Sequence, residues 1–397
     1  MTKASIDFLQ QHLDDDPLRL LLQQGRHPQV DMRWVAQQIE GRRQAADKWP
    51  SLLGCPDYEY PPKLNREQSS SEATARYKAS LLPPGGTLAD LTGGMGIDTY
   101  YFAQRATTVD YYELDPTLAA LAERNFAALG QSNIRCHAED GLIHLEPHDA
   151  LYLDPARRDT HGQRVQAFED CTPNLLEHLP RLRSVCRTLL IKASPMIDIR
   201  LALEQIGECE VHAVAVKGEC KEVLFRTGKP LLHCVDIHPT HTYHDTFSLT
   251  DEAHTPLTLC TTLRRYLYEP HAALLKGGAY HQLAQRYGVE QLARHTHLYT
   301  SDRLLPHWPG RIFEVLQPVA LNAKEVRRLL PDRKAHLLAR NYPLTTAQLQ
   351  QRLHLAEGGT LHLIATTLVD KPIGLLAKRV ALEPPQSNGT EHQEANI

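Results

Sequence analysis

Short apolar runs and longer stretches with helical periodicity alternate through the middle of the chain. The first four runs end at glycines or acidic residues, which is typical of buried strands that lead into tight turns. Predicted strands cover residues 87–90, 107–113, 133–137, 149–153, 188–192, 211–216 and 223–226. Predicted helices between them cover residues 97–103 and 116–129. This order predicts an α/β fold with a parallel sheet, helices on both faces and ligands at the carboxyl edge of the strands.

The segment before the first predicted strand has a helical pattern. Its apolar residues recur at helical spacing, and Asp15 or Asp16 is a candidate N-cap for a helix that starts at Pro17. Residues 60–62 break into an extended linker, and residues 73–82 are predicted to form the helix that precedes the first strand.

The first predicted strand runs into a glycine-rich loop, residues 90–98 (DLTGGMGID). Glycines in such a loop permit positive φ angles and a close approach of the backbone to a ligand. The candidate ligand-binding residues of the loop are Asp90, Thr92, Gly94, Gly96 and Asp98.

Acidic residues stand at the ends of the next three predicted strands. Glu113 follows the glycines by about 20 residues, the distance at which a carboxylate meets a ribose diol in doubly wound nucleotide-binding folds. Asp140 falls after the third strand, where a carboxylate can accept a hydrogen bond from an adenine amino group. Asp154 falls after the fourth strand. Carboxyl ends of parallel strands meet at one sheet edge, so these acids are predicted to share a site.

Two ligand classes compete for this site. A dinucleotide fold uses G-x-G-x-x-G and holds a pyrophosphate at the helix N-terminus, whereas this chain has Asp-x-x-x-Gly-x-Gly from Asp90 to Gly96. Asp90 would repel a pyrophosphate, but it can pair with the ammonium of a methionine moiety. The pattern therefore favours S-adenosylmethionine over NAD(P), and a glycine turn without a ligand is the structural alternative.

These motifs resemble those of a known family. Residues about 85–228 resemble the class I S-adenosylmethionine-dependent methyltransferases, with all four strand-end motifs in family order. Further segments resemble a bacterial group of these enzymes that has a THUMP-like C-terminal domain. They are residues 64–81 (LNREQSSSEATARYKASL), 154–159 (DPARRD), 193–196 (ASPM), 267–270 (LYEP), 298–301 (LYTS), 309–311 (PGR) and 340–344 (RNYPL).

The resemblance implies a domain order for the whole chain. It predicts an N-terminal helical segment over residues 1–62 and a Rossmann-like methyltransferase domain over residues 63–230. A ferredoxin-like linking region over 231–322 and a THUMP-like domain over 323–382 would follow, both small and of α+β type, before a frayed tail at 383–397.

The loop after the fourth strand is the predicted catalytic segment. Asp154 and the carbonyl of Pro155 can accept the two hydrogens of an exocyclic amine and so aim its lone pair at the methyl group. Amino-methyltransferases usually carry a second proline and then an aromatic residue here, whereas this chain has Ala156 and Arg157. The guanidinium of Arg157 can stack on a base or grip a phosphate, or serve a structural pairing at the surface. Arg158 and Lys192 are further candidate substrate contacts, with a structural role as the alternative for each.

Charge is distributed unevenly along the chain. The formal net charge is −4, which argues against a generic affinity for nucleic acid. Residues 324–379, however, hold ten lysines and arginines against four acids. Arg327, Arg328, Arg333 and Lys334 are therefore candidate phosphate contacts, with a solvated helix face as the alternative.

Cysteine and histidine spacing predicts no metal site. The eight cysteines include no C-x-x-C pair, and the 22 histidines are scattered. The chain has no secretory leader pattern and no apolar run near 18 residues, so we expect a cytoplasmic protein without membrane contact.

These observations predict an S-adenosylmethionine-dependent methyltransferase that modifies an RNA base, with rRNA or tRNA as the partner and an exocyclic amine as the favoured target. One alternative is a methyltransferase for a protein or a small molecule. Another is a non-catalytic RNA-binding module that retains S-adenosylmethionine as a structural ligand.

Overall fold

A computed structural model describes residues 2–143, 145–157, 168, 171–172 and 174–382. For residues 156–157 and 171–172 it describes the backbone. The candidate contact Arg158 and the predicted frayed tail, residues 383–397, lie outside the described residues.

The α-helices of the described residues are numbered in chain order. They are α1 (Lys3–Gln11), α2 (Pro17–Leu21), α3 (Met32–Lys48), α4 (Lys63–Gln68), α5 (Glu72–Leu81), α6 (Ile97–Ala103), α7 (Pro116–Ala128), α8 (Leu175–Ser184), α9 (Ile199–Ile206), α10 (Ala272–Gly277), α11 (Tyr280–Tyr287), α12 (Ala323–Leu329) and α13 (Thr346–Leu353). Two short 3-10 helices cover Gln24–Arg26 and Pro50–Gly54.

The strands begin after α5 and continue to the C-terminal end of the described chain. They are β1 (Thr87–Asp90), β2 (Thr108–Tyr112), β3 (Ile134–His137), β4 (His148–Leu153), β5 (Ala156–Arg157), β6 (Cys171–Thr172), β7 (Cys186–Ala193), β8 (Glu210–Val216), β9 (Glu219–Arg226), β10 (Leu231–Ile237), β11 (Thr242–Ser248), β12 (Tyr266–Pro270), β13 (Glu290–Ala293), β14 (Thr296–Ser301), β15 (Gly310–Val319), β16 (His336–Ala339), β17 (Leu361–Leu368) and β18 (Lys371–Arg379). Every strand and helix predicted from the sequence has a counterpart here, and the largest shift is the start of β9 at Glu219.

The chain divides into two compact units. The first comprises Met1–Gly207 and Leu224–Thr227, and the second comprises Glu208–Val223 and Gly228–Ile397. The boundary passes through strand β9.

The first unit holds a parallel sheet with the strand order β7-β4-β1-β2-β3. β1 pairs in parallel with β2 on one side and with β4 on the other, and β7 continues the sheet from β4. Chain order therefore reverses between β1 and β4, which creates a topological switch point where ligands of such sheets bind. This arrangement confirms the predicted Rossmann-like α/β class.

The N-terminal helices pack within the first unit. Asp16 caps α2 and accepts a hydrogen bond from the backbone of Leu18, with Pro17 at the first helical position. Leu20 of α2 packs in a small core with Val30 and with residues of α3, and Ser71 caps α5. The predicted cap at Asp16 is therefore confirmed.

The second unit begins with a group of three strands, β8, β10 and β11. β10 pairs in parallel with β8 and antiparallel with β11. Helix α10 packs on one face of this strand group, where a Cβ atom added at Gly277 would meet the sulfur of Cys234 at 2.6 Å. Within the described residues, no helix is long and apolar enough to cross a membrane.

A seven-stranded sheet forms the rest of the second unit, in the order β13-β14-β12-β15-β18-β17-β16. One core cluster combines side chains from β12, β13, β14, β15, β17 and β18 (Leu267, Leu292, Leu298, Phe313, Ile364 and Leu375). A second cluster packs α12 and α13 against β17 and β18. The sheet is therefore one continuous structure from residue 266 to residue 379.

Candidate active site

The glycine loop and the Asp154 loop meet at the switch point of the sheet. The backbone N–H of Leu91 donates to the carbonyl of Tyr152 at 3.0 Å. Thr92 accepts a hydrogen bond from the backbone N–H of Asp154 through its hydroxyl, at 2.7 Å. Thr92, predicted as a cofactor contact, thus ties the two loops together.

Asp90 is almost fully buried at the end of β1, with a relative exposure of 1%. One of its carboxylate oxygens accepts from the backbone N–H of Thr92 at 3.1 Å, and the other from the hydroxyl of Thr99 at 2.6 Å. Burial is the main reason that the pKa of Asp90 rises to about 7, and the nearby carboxylates Asp98 and Asp154 raise it further. A cation bound beside Asp90 would stabilise its ionised form, so the site suits the positively charged end of a ligand.

Gly94 and Gly96 both have left-handed backbone conformations, with φ of 56° and 82°. A Cβ atom at Gly96 would lie 2.5 Å from the ring of Phe126 on α7. Around Gly94 the space is open except for one backbone oxygen at 4.0 Å. The loop therefore packs tightly at Gly96 and leaves open space beside Gly94, as a ligand cradle requires.

Glu113 lies directly beside the glycine loop. Its carboxylate accepts from the backbone N–H of Gly94 and from that of Asp115, each at 2.9 Å. Both bonds fix the half-buried carboxylate at the carboxyl end of β2, next to the open space at Gly94. This is the position from which an acid can hold the two hydroxyls of a ribose.

Asp140 follows β3, at the carboxyl edge beside β2. It is half-buried, and its carboxylate accepts from the backbone N–H of Leu142 at 2.9 Å. The bond orders the turn after β3 and occupies one of the two oxygens.

Asp98 belongs to a buried polar cluster that the sequence did not indicate. The Lys78 ammonium, fully buried on α5, lies 3.1 Å from one Asp98 oxygen. The other oxygen accepts from the hydroxyls of Ser70 at 2.7 Å and Tyr152 at 2.9 Å. Burial opposes the ionisation of Asp98, but the ammonium groups of Lys78 and Lys192 outweigh it, so the pKa lies below its ordinary value.

Lys78 had a signal in the sequence that could have found it. It stands at helical spacing from Thr74 and Ala75, which with Ala79 form the buried side of α5. A lysine on the apolar face of a predicted helix needs an anionic partner. Here that partner is Asp98, a residue of the glycine loop, so α5 contributes to the site.

Asp154 begins the predicted catalytic loop and is partly accessible, with 34% side-chain exposure. Its Oδ2 atom contacts the ammonium of Lys192 at the end of β7, whereas none of the described residues donates to Oδ1. Pro155 is buried, and the backbone of Arg157 pairs with Cys171 in the β5–β6 ribbon. Lys192, predicted as a substrate contact, is thus directed at Asp154.

The predicted phosphate contacts lie on α12 and the turn after it, and all four are exposed. Arg328 makes a bidentate pair with Glu325, at 3.0 and 2.7 Å. No side chain in the described part of the chain forms an ion pair with Arg327, Arg333 or Lys334. These three therefore carry uncompensated positive charge.

The site fits S-adenosylmethionine in the chemistry of its donors. It combines an open backbone cradle at Gly94, the carboxylate Glu113 beside that cradle, and the buried acid Asp90 near the expected cation.

Two family models match consecutive segments near the C-terminal end. One describes a ferredoxin-like domain and matches residues 266–309, and the other describes a THUMP domain-like region and matches residues 310–379. Their junction falls between β14 and β15, within the seven-stranded sheet.

Two relatives that align over most of this chain are described as methyltransferases. The chain is 26% identical over 348 residues to the uncharacterised S-adenosylmethionine-dependent methyltransferase Rv3037c of Mycobacterium tuberculosis, with 84% of this chain and 92% of the relative covered. A crystal structure from Porphyromonas gingivalis W83, described as a candidate methyltransferase, is 30% identical with a TM-score of 0.86. That match covers 95% of this chain and 98% of the other. The protein therefore belongs to the S-adenosylmethionine-dependent methyltransferases and carries ferredoxin-like and THUMP-like regions at its C-terminal end.

Proposed function

We propose that this methyltransferase modifies a base of an RNA, rRNA or tRNA, at an exocyclic amine. The observation that carries this proposal is the set of contacts made by the Asp154 carboxylate. Lys192 holds one oxygen of this carboxylate, and none of the described residues donates to the other, which lies beside the glycine loop that we assign to the cofactor.

The proposed chemistry depends mainly on alignment. When bound, S-adenosylmethionine supplies a methyl group on a cationic sulfur that is a good leaving group. Asp154 Oδ1 accepts one N–H of the substrate amine and the carbonyl of Pro155 accepts the other, which aims the nitrogen lone pair at the methyl carbon. Bound S-adenosylmethionine would supply the methyl carbon for the new N–C bond, and the electron pair of the broken C–S bond would remain on its sulfur. Asp154 then accepts the proton that the alkylated nitrogen releases.

The charge distribution supports a nucleic-acid substrate. Arg327, Arg333 and Lys334 are exposed and unpaired among the described residues, so their charges are available to phosphates. Arg328 contributes less because Glu325 already binds it. The seven cysteines whose side chains the structure describes are free thiols, which suits a reducing compartment, and we place the reaction in the cytoplasm.

A labelling experiment tests the substrate class. Purified protein and methyl-labelled S-adenosylmethionine are added to an extract of cells that lack the protein, and RNA, protein and small molecules are then separated. We expect label in RNA, and none with Asp154→Asn. Label in protein or small molecules instead would replace this proposal with the corresponding substrate class. No label despite cofactor binding would indicate the non-catalytic module.

A second experiment tests the basic surface. Deleting residues 323–397 would be a poor test, because β18 lies between β15 and β17 and its loss would break the sheet. The triple variant Arg327→Glu, Arg333→Glu, Lys334→Glu changes only exposed side chains. We expect it to lower the slope of log affinity against log salt by up to about 2, from about 0.7 per lost contact with single-stranded RNA. The matched control Lys3→Glu, Lys63→Glu, Arg187→Glu makes the same charge change on the first unit. Equal slopes in the two triple variants would refute this surface as the RNA contact.

A further inference from the structure

Three potential metal ligands converge on the strands that begin the second unit. β8 and β10 pair in parallel with His212 directly opposite His233. Glu210 stands two residues before His212, so its side chain points to the same face of the sheet. The three residues are separated by up to 23 positions in sequence, and only the strand pairing brings them together.

The distances among these side chains are short and converge on one atom. Nε2 of His212 lies 2.9 Å from Oε1 of Glu210, and Nε2 of His233 lies 3.3 Å from the same oxygen. The two imidazole rings stack with centroids 4.5 Å apart and planes 11° apart. One ligand atom from each residue lies within 4.8 Å of the other two.

The cluster is buried and shaped around the carboxylate. Side-chain exposure is 14% for Glu210, 1% for His212 and 15% for His233. Nε2 of His233 is buried and has no hydrogen-bond partner among the described residues, despite its closeness to Glu210. A Cβ atom at Gly228 would lie 2.6 Å from Oε2 of Glu210, so glycine there leaves room for the carboxylate.

The outer side of His233 is fixed by two further groups. Its Nδ1 atom lies 3.1 Å from the hydroxyl of Thr246 and 3.1 Å from Nε2 of His244, both on β11. A proton on Nδ1 shared with these groups leaves the Nε2 lone pair directed at Glu210. Metal-binding histidines in proteins are held in this way by a partner on the second ring nitrogen.

We propose that Glu210, His212 and His233 bind one divalent transition-metal ion of the zinc type. Metal–ligand bonds of about 2.0–2.1 Å in a tetrahedral site place neighbouring ligand atoms about 3.3 Å apart. The observed separation of 3.3 Å matches that edge, and the separation of 2.9 Å is shorter than it by about 0.4 Å. Two imidazole nitrogens and one carboxylate oxygen suit zinc, cobalt, nickel or copper rather than magnesium or calcium. The ion joins β8 to β10 and takes water as its fourth ligand.

The test uses the untagged full-length protein and zinc alone. Protein loaded with excess Zn²⁺ is passed over a desalting column in a weak chelator, and bound zinc is measured by mass spectrometry. The variants are His233→Gln and Glu210→Gln, and the control is His254→Gln, an exposed histidine outside the cluster. We expect about one ion per chain in the wild type and the control, with affinity at least tenfold lower in both cluster variants.

Thermal unfolding separates loss of the ion from loss of the fold. Zinc should raise the melting temperature of the wild type and of His254→Gln. Zinc should leave the melting temperature of a cluster variant unchanged. Without zinc, the variant should unfold cooperatively at a melting temperature near that of the metal-free wild type. The proposal would be overturned if the wild type retained no zinc. It would also be overturned if both cluster variants retained as much zinc as the wild type. Zinc retention and thermal unfolding do not depend on methyl transfer, so they test the metal site independently of the proposed RNA substrate.

Discussion

The ammonium of Lys192 contacts the carboxylate of Asp154 at the switch point between β1 and β4. We expect this contact to orient the carboxylate so that its free oxygen faces the substrate amine. Lys192→Met should therefore lower kcat about 100-fold, the scale of a small misplacement at a reacting centre.

Separate measurements of kcat and of the KM for S-adenosylmethionine distinguish a role of Lys192 in positioning Asp154 from a role in cofactor binding. KM for S-adenosylmethionine should stay within about twofold for Lys192→Met, and Lys63→Met, an exposed lysine on α4, should behave as wild type. A rise in the cofactor KM with unchanged kcat would show that Lys192 serves the cofactor instead.

Glu113→Ala should weaken S-adenosylmethionine binding by about 1.5–3 kcal/mol, or roughly tenfold to 150-fold, because a charge-assisted hydrogen bond is left unmade. Titration calorimetry measures this directly, with Glu123→Ala on the exposed side of α7 as the control. Equal affinity in the two variants would contradict the assignment of Glu113 to the ribose.

Asp90 predicts a pH dependence of stability in the cofactor-free protein. Its pKa is raised from 3.8 to about 7, so the folded state binds more protons than the unfolded state between these values. Stability from this residue is therefore lost as pH rises from about 4 to 7, by up to about 4 kcal/mol. Asp90→Asn should remove this loss.

Denaturant unfolding at pH 5 and pH 8 provides the measurement. The stability of Asp90→Asn relative to wild type should increase between the two pH values, whereas the exposed control Asp57→Asn should show no such change. A constant difference would mean that Asp90 is not protonated in the folded protein near neutral pH.

Because the ion pair between Lys78 and Asp98 is buried, we expect a large coupling free energy between the two residues in protein stability. Lys78→Met leaves the Asp98 carboxylate buried without its cation and should destabilise the first unit by about 3–5 kcal/mol. The double variant with Asp98→Asn should recover much of that loss. A double-mutant cycle measures the coupling, and the exposed pair Lys63 and Glu67, 3.7 Å apart, is the control. Additive effects at the buried pair would refute the interaction.

The fold of the first unit could be predicted because its signals are local. A glycine or an acid follows each of the strands β1 to β4, and the helix predicted over residues 97–103 coincides with α6. The positions of Asp90, Glu113 and Asp154 followed, since carboxyl ends of parallel strands share one edge.

Contacts between distant segments could not be predicted in the same way. No pattern within α5 names Asp98 as the partner of Lys78, and the convergence of Glu210 with His233 depends on which strands become neighbours. The direction of Lys192 toward Asp154 depends on β7 lying beside β4. Such contacts follow from strand order, which apolar periodicity leaves open.

The ferredoxin-like and THUMP-like regions share five residue pairs between β12 and β15, from Tyr266 opposite Glu314 to Pro270 opposite Gly310. A gene rearrangement with a breakpoint between residues 309 and 310 would leave β12 with an open edge in one product and β15 with an open edge in the other. We therefore expect the two regions to have been inherited together. A natural chain that carries the ferredoxin-like region alone should supply another strand in place of β15.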